Sequence, residues 1–228
     1  MNLFYQPEIC HGVHHLSEEE TRHAKVLRLK RGDAIDLTDG LGFFYTATIT
    51  KVDKQCEFEI TKKKAASQKK FSIHIAIAPT KNADRMEWFV EKATEIGINK
   101  ISFVLCQKSE RKTINIDRIE KIAVSAMKQS HQAWLPKISG IKKFSEIICE
   151  SADQKFIAFV EPQNPLHLKQ LTEPNKNYMV LIGPEGDFSD EELKMAQSRG
   201  FQKVSLGENR LRTETAGLMV CSILNFIQ

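Results

Sequence analysis

Residues 179–214, MVLIGPEGDFSDEELKMAQSRGFQKVSLGENRLRTE, place a glycine loop at the end of each of two apolar runs. Met179–Ile182 is a short apolar stretch followed at once by Gly183-Pro184-Glu185-Gly186. An apolar run closed by glycine and proline reads as a buried strand that ends in a tight turn. Ser189 with Glu192 three residues on is a capping box, so a helix opens there. Gly200 stops that helix. Val204–Leu206 reads as a second strand, and it also meets a glycine, Gly207, followed by Glu208-Asn209-Arg210-Leu211-Arg212. Thr213 then opens a last helix. In open α/β sheets ligands bind outside the carboxyl ends of strands. Two polar glycine loops at two such ends predict a shared ligand site.

The rest of the C-terminal part supports that sheet. Phe71–Ala78, Lys100–Cys106 and Phe156–Val160 read as strands. Between them, residues 84–96 carry Met86, Phe89, Val90 and Ala93 on one helical face, with Gly97 as the stop. Residues 116–130 carry Ile119, Ile122, Ala123, Ala126 and Met127 in the same way. Alternating strand and helix predict an α/β fold with a mostly parallel sheet and helices on both faces. The final helix, residues 213–227, is apolar nearly all round, which predicts burial on every side and a subunit interface.

Residues 1–61 have a different texture. Ser17-Glu18-Glu19-Glu20 caps a helix over residues 18–27. Ala34–Leu37, Phe43–Lys51 and Cys56–Ile60 alternate as short strands around the Asp39-Gly40-Leu41-Gly42 turn. A small β-rich domain follows, with barrel closure as one form of it. Lys62–Lys70, KKKAASQKK, reads as an exposed linker. The division expected is therefore residues 1–69 and residues 70–228.

Composition excludes several classes. No apolar run approaches a membrane span, and the N-terminus lacks a basic stretch followed by an apolar core. The five cysteines are scattered without a CxxC pair, which argues for reduced thiols in a cytoplasmic protein and against a thiolate metal site. The Cys10-His11-Gly12-Val13-His14-His15 run has no second ligand cluster to pair with, so no metal is expected. The net charge of +4 is mild. Local charge is more telling: residues 22–31, RHAKVLRLKR, hold five Lys/Arg and no acid. Lys62–Lys64 with Lys69 and Lys70, and Lys108 with Arg111 and Lys112, are further clusters. Each alone is an ordinary solvated face; together they favour a polyanion partner.

The strand that opens the α/β part is followed by no GxGxxG, and no GxxxxGK[ST] occurs, so neither a dinucleotide fold nor a P-loop is supported. Glycines beside a ligand allow main-chain N–H and C=O groups to approach it closely, which suits an adenine or a ribose. On the residues alone the two loops give a site for a nucleotide-like ligand, and the chemistry done there stays open.

GPEG-x-FS-x-EE followed by LG-x-x-x-LRTETA resembles the closing signature of the ribosomal RNA small subunit methyltransferase E family, of the SPOUT class. His23 to Asp33, HAKVLRLKRGD, is similar to that family's N-terminal segment, and Lys92 to Gly97, KATEIG, to one of its helices. Gln129-Ser130 and Pro136 are similar to its QS…P segment. Three places depart from the pattern. Asp187 stands where the family has a second glycine in GPEGGFS. Gln129-Ser130-His131-Gln132-Ala133-Trp134 replaces a QSGR-type run, and Gln107-Lys108-Ser109-Glu110-Arg111 replaces an Arg-Ser motif.

The resemblance implies a PUA-like RNA-binding β-barrel over residues 1–69 and a SPOUT-type α/β domain with a C-terminal trefoil knot over residues 70–228. It implies S-adenosylmethionine as cofactor, methylation of N3 of a uridine in 16S ribosomal RNA within the 30S subunit, and a homodimer. Two other classes are weighed against such an RNA methyltransferase: a non-catalytic RNA-binding or ribosome-assembly module that keeps the fold, and another nucleotide-binding α/β enzyme such as a small phosphotransferase, which the missing P-loop disfavours. It places Leu181, Gly183, Pro184, Glu185, Gly186, Leu206, Gly207, Leu211, Thr213 and Ala216 around the cofactor. Uridine N3 must lose a proton to attack a methyl group, so cationic donors near O2 and O4 and a proton acceptor are needed. Arg212 is the first candidate donor and Arg210 the second; Glu185 or Glu214 is the acceptor or an arginine's brace. A plain salt bridge is the alternative for Arg212, and first-turn helix stabilisation for Glu214. Arg22, Lys25, Arg28, Lys30 and Arg31 are the expected phosphate contacts.

Overall fold

The computed structural model describes residues 3–160 and 166–228. The chain divides into two compact units, one of Met1–Gln68 with Val124–Leu135, the other of Lys69–Ala123 with Pro136–Gln228.

The first unit is a four-stranded sheet in the order β1 (Leu3–Tyr5), β2 (Ala34–Thr38), β3 (Phe43–Val52), β4 (Cys56–Ala65), with helix α1 at Glu18–Val26. β1 runs parallel to β2, and the other pairs are antiparallel. α1 starts at Ser17, whose Oγ accepts the Glu20 N–H at 3.2 Å. Three glutamates in its first turn suit the positive end of the helix dipole. Tyr45, Ala47 and Ile49 alternate inward from β3 onto Phe4, Leu16, Ala24 and Leu37. The segment Val124–Leu135 belongs here because a near-buried Lys128–Glu20 ion pair and a bridge between Leu41 and Trp134 hold it. Lys62–Ala65, expected in a linker, is instead the end of β4, paired with Thr46 to Phe43. That pairing is made by the backbone, and side chains that all reach solvent leave no periodic trace.

The second unit holds β5 (Ser72–Ile77), α2 (Ala83–Ile96), β6 (Lys100–Leu105), the start of α3 (Ile116–Gln129), β7 (Lys137–Lys143), α4 (Phe144–Ile147), β8 (Gln154–Ala158), α5 (Leu168–Leu171), β9 (Asn177–Ile182), α6 (Asp190–Ser198), β10 (Gln202–Val204) and α7 (Thr213–Phe226). Its six strands are all parallel, in the order β10-β8-β9-β5-β6-β7. β7, an edge strand reading KISGIKK, carries no apolar run and is not foreseen by the sequence. β10 ends at Val204, earlier than the expected Val204–Leu206, because Ser205 leaves β8 to bridge His167. One face of the sheet packs Ala76, Met179 and Leu181 against Phe188, Leu193 and Ala196. The other face takes α7, which packs on β5 and β9, and α2 packs against α7. α7 buries Ala216, Gly217, Val220, Cys221 and Leu224 but leaves Met219 39% and Phe226 89% exposed, so within one chain it is not covered on every side.

Candidate active site

The carboxyl ends of β9, β8 and β10 lie side by side in the sheet, and a cavity of about 530 Å³ opens there. A volume of this size falls in the range that holds nucleotide-sized ligands. Gly183, Pro184 and Glu185 form one wall; Leu206, Gly207, Arg210, Leu211 and Arg212 form the other, with Thr213 and Ala216 of α7 at the back. The loops are built by local chemistry. Asp187 N–H donates to the Pro184 carbonyl at 2.9 Å, closing the GPEG turn. The capping box of Ser189 and Glu192 then starts α6. Gly207 has φ +134°, and where a Cβ would sit there is open space, so its backbone lies bare at the cavity.

Three expected residues fall outside the lining. Leu181 is fully buried on the opposite face of β9, because side chains alternate across a strand and its neighbour Ile182 takes the cavity side. Gly186 faces Lys108, whose Cβ is 3.3 Å from where its own Cβ would be. Glu214 is buried on α7, with one oxygen 3.8 Å from Arg85 Nε and the other without a hydrogen-bond donor among the described residues. It is therefore turned towards α2.

Arg212 is exposed and lines the cavity as the residue that caps α7. Neither Glu185 nor Glu214 forms an ion pair with it among the described residues, so the plain salt bridge weighed from sequence is not the arrangement found. Arg210 donates to the Glu185 main-chain oxygen at 3.2 Å, linking the two walls. Glu185 Oε1 accepts the Lys81 N–H at 3.2 Å, and Arg111 donates to the Lys81 carbonyl at 2.8 Å. Lys108 donates to the Phe188 carbonyl at 3.2 Å. Two members of that basic cluster thus brace loops of the site.

Sequence reasoning missed the third wall, Ala158, Phe159 and Val160 at the end of β8, and also Asn209; Asp187, marked from the sequence as a departure in the GPEG loop, lines the cavity too. β8 joins the site through the strand order, which leaves no local signal. Asp187 has φ +61°, the left-handed region that favours glycine and that Asp tolerates better than most residues. Its Oδ1 accepts the Phe188 N–H at 2.8 Å. Burial pushes its carboxyl above the usual range, against the opposing pull of that N–H, Lys108 and Arg210. Among the described residues no group of three or more His, Cys, Asp or Glu is placed to hold a metal ion.

The class follows from the family matches: residues 67–225, which hold the sheet, loops and cavity, match the family described as RNA methyltransferase domain, and residues 16–61 match RNA methyltransferase PUA domain, so the chain is an RNA methyltransferase. Within that class the chain belongs to the ribosomal RNA small subunit methyltransferase E family. The member from Buchnera aphidicola subsp. Acyrthosiphon pisum is 31% identical, over 97% of this chain and 91% of its own length. Among solved structures, a probable rRNA-methyltransferase from Porphyromonas gingivalis is 40% identical with a TM-score of 0.93, over 100% of this chain and 98% of that one. A ribosomal RNA small subunit methyltransferase E from Neisseria gonorrhoeae, bound to S-adenosyl methionine, is 27% identical with a TM-score of 0.86, over 100% and 98% of the two chains.

Proposed function

We propose that this chain uses S-adenosylmethionine to methylate N3 of a uridine in 16S ribosomal RNA, acting on the 30S subunit. The observation that carries this reading is one cavity walled by both glycine loops, with Arg210 and Arg212 on its rim, in a chain of this family. The cavity suits the cofactor: its walls are bare backbone at Gly207 and apolar at Leu206, Leu211 and Ala216. Bound there, S-adenosylmethionine supplies an electrophilic methyl on a sulfonium. The residues of the chain hold the reacting atoms in line and manage charge. Gly183, Pro184, Leu206, Gly207, Leu211, Thr213 and Ala216 bind the cofactor, while Leu181 and Gly186 shape the loop from behind. Arg212 stabilises the negative charge that spreads to O2 and O4 when N3 loses its proton. Arg210, tied to Glu185, is the second donor. Glu185 is the favoured proton acceptor because it lines the cavity; Glu214 acts from behind, by bracing Arg85.

In this reading residues 1–69 are an RNA-binding PUA-like barrel. Its closure is supported by backbone bonds from Leu16 to Cys56 and from Phe58 to His14, which extend the sheet beyond β4. Arg22, Lys25, Arg28, Lys30 and Arg31 are all exposed, as phosphate contacts must be. Residues 70–228 are the SPOUT domain, with the chain before α7 threaded as a trefoil knot. A second copy covers the exposed Met219 and Phe226 to make a homodimer. The chain works in the cytoplasm; among the described residues no helix is long and apolar enough to cross a membrane.

Calorimetry and methylation assays on Arg212→Ala test the assignment. Cofactor binding is expected to persist while transfer to 30S particles falls by roughly two to three orders of magnitude, the usual cost of one such donor. Full turnover by Arg212→Ala removes that residue from the mechanism. A wild-type protein that binds no S-adenosylmethionine overturns the whole reading.

A further inference from the structure

Trp134 belongs to the segment after α3 that packs in the N-terminal unit. Its indole packs against Gly42: a Cβ added there would come within 2.3 Å of the ring, and φ is +105°. Only glycine fits beneath this ring. The backbone on both sides is fixed too. Gly42 N–H donates to the Ala133 carbonyl at 2.8 Å, and Leu135 N–H to the Gly40 carbonyl at 2.9 Å. Yet Trp134 is 41% exposed, and Leu41, bridged to it, is 60% exposed. A large aromatic is thus held rigid by main-chain contacts with much of its surface in water.

The adjoining strand end supplies charge. Ala66 N–H donates to the Gly42 carbonyl at 2.8 Å, which sets the end of β4 beside this turn. There Lys62, Lys63 and Lys64 pair with Thr46, Tyr45 and Phe44. The Lys63 ammonium sits 4.0 Å from the Phe43 ring centroid. Lys62 and Lys64 are exposed, and no Asp or Glu occurs in residues 40–50 or 60–70. Protein interfaces are depleted in lysine. Exposed aromatics with lysines and no acid are what single-stranded nucleic acid uses, with bases on the rings and phosphates on the ammoniums.

We propose that Trp134, with Lys62 and Lys64 of the adjoining strand end, is a stacking platform for an unpaired RNA base. It is additional to the basic cluster of α1 and the loop after it. This rests on the reading of the chain as an RNA-modifying enzyme.

The test uses the full chain with Trp88→Phe, which leaves Trp134 the sole tryptophan of the two. A single-stranded uridine-rich RNA is expected to quench its emission, and an RNA duplex to quench it far less. Trp134→Ala weakens single-strand binding by roughly ten-fold or more, whereas Trp134→Phe keeps most of it. Lys62→Glu with Lys64→Glu lowers the slope of log affinity against log salt by roughly 1.4, about 0.7 for each lost phosphate contact. RNA binding without quenching overturns the proposal, as does equal affinity for Trp134→Ala or equal quenching by duplex. The quench is read on the native indole, so it decides the matter even if Trp134→Ala fails to fold. Calorimetry with S-adenosylmethionine on the same proteins reads the methyltransferase assignment separately: its failure there leaves the quench result standing.

Discussion

Thr213 Oγ1 donates a hydrogen bond to the Gly183 carbonyl at 3.1 Å. It joins the first residue of α7 to the loop after β9, and so fixes the spacing between two walls of the cavity. Both residues line that cavity. Thr213→Val keeps the shape and removes the donor. We expect it to cost about 1 kcal/mol of stability by urea unfolding and to weaken S-adenosylmethionine binding by calorimetry. Thr213→Ser keeps both. Unchanged affinity in Thr213→Val means that the bond does not set the pocket.

Gly217 lies where α7 crosses α2 and β5. An added Cβ would come 2.6 Å from the Phe89 ring and 3.1 Å from Ile77, both fully buried. Gly217→Ala gains helix propensity but overpacks that crossing, with a net loss of about 1–2 kcal/mol expected. Urea midpoints check it; a stabilised Gly217→Ala contradicts the close approach.

His74, buried on β5, binds Ser102 Oγ through Nε2 at 2.9 Å and lies 3.7 Å from Glu150. Glu150 also holds Lys142 at 3.0 Å and pairs with Lys100. Burial first, then Lys100, pushes His74 down from 6.5 to about 4. Between those values the unfolded chain takes up a proton that the folded chain refuses, so stability falls as pH drops through that window. Glu150 acts in the same direction. Burial opposes its charge, but the hydrogen bonds from Lys100 and Lys142 prevail and hold it below 4.5. Its contribution is lost as pH falls through that lowered value. His74→Gln is expected to flatten unfolding midpoints between about 6.5 and about 4; an unchanged pH profile excludes His74 as the source.

Much of the site is legible in the sequence because its signals are local. Glycine and proline after an apolar run, and the spacing of Ser189 and Glu192, fix the loop after β9 without knowledge of its neighbours. Gly207 to Arg212 is legible for the same reason. The wall from Ala158 to Val160 is not, because the strand order β10-β8-β9 brings it there. Glu214 reads as a site residue until helix phase turns it towards Arg85. β7 and the end of β4 escape because edge strands clothed in lysine have no apolar rhythm. Asp187 shows the reverse. From sequence it is an odd substitution; its positive φ explains why glycine suits the position and why Asp can replace it.

In the proposed reaction this cavity transfers a methyl group to a ribosomal uridine. The most direct measurement is incorporation of isotopically labelled methyl from S-adenosylmethionine into unmodified 30S particles and into naked 16S RNA, followed by digestion to nucleosides. The expected result is label in 3-methyluridine, with the assembled particle as the better substrate. Label in another nucleoside, or none from a protein that binds the cofactor, contradicts the account.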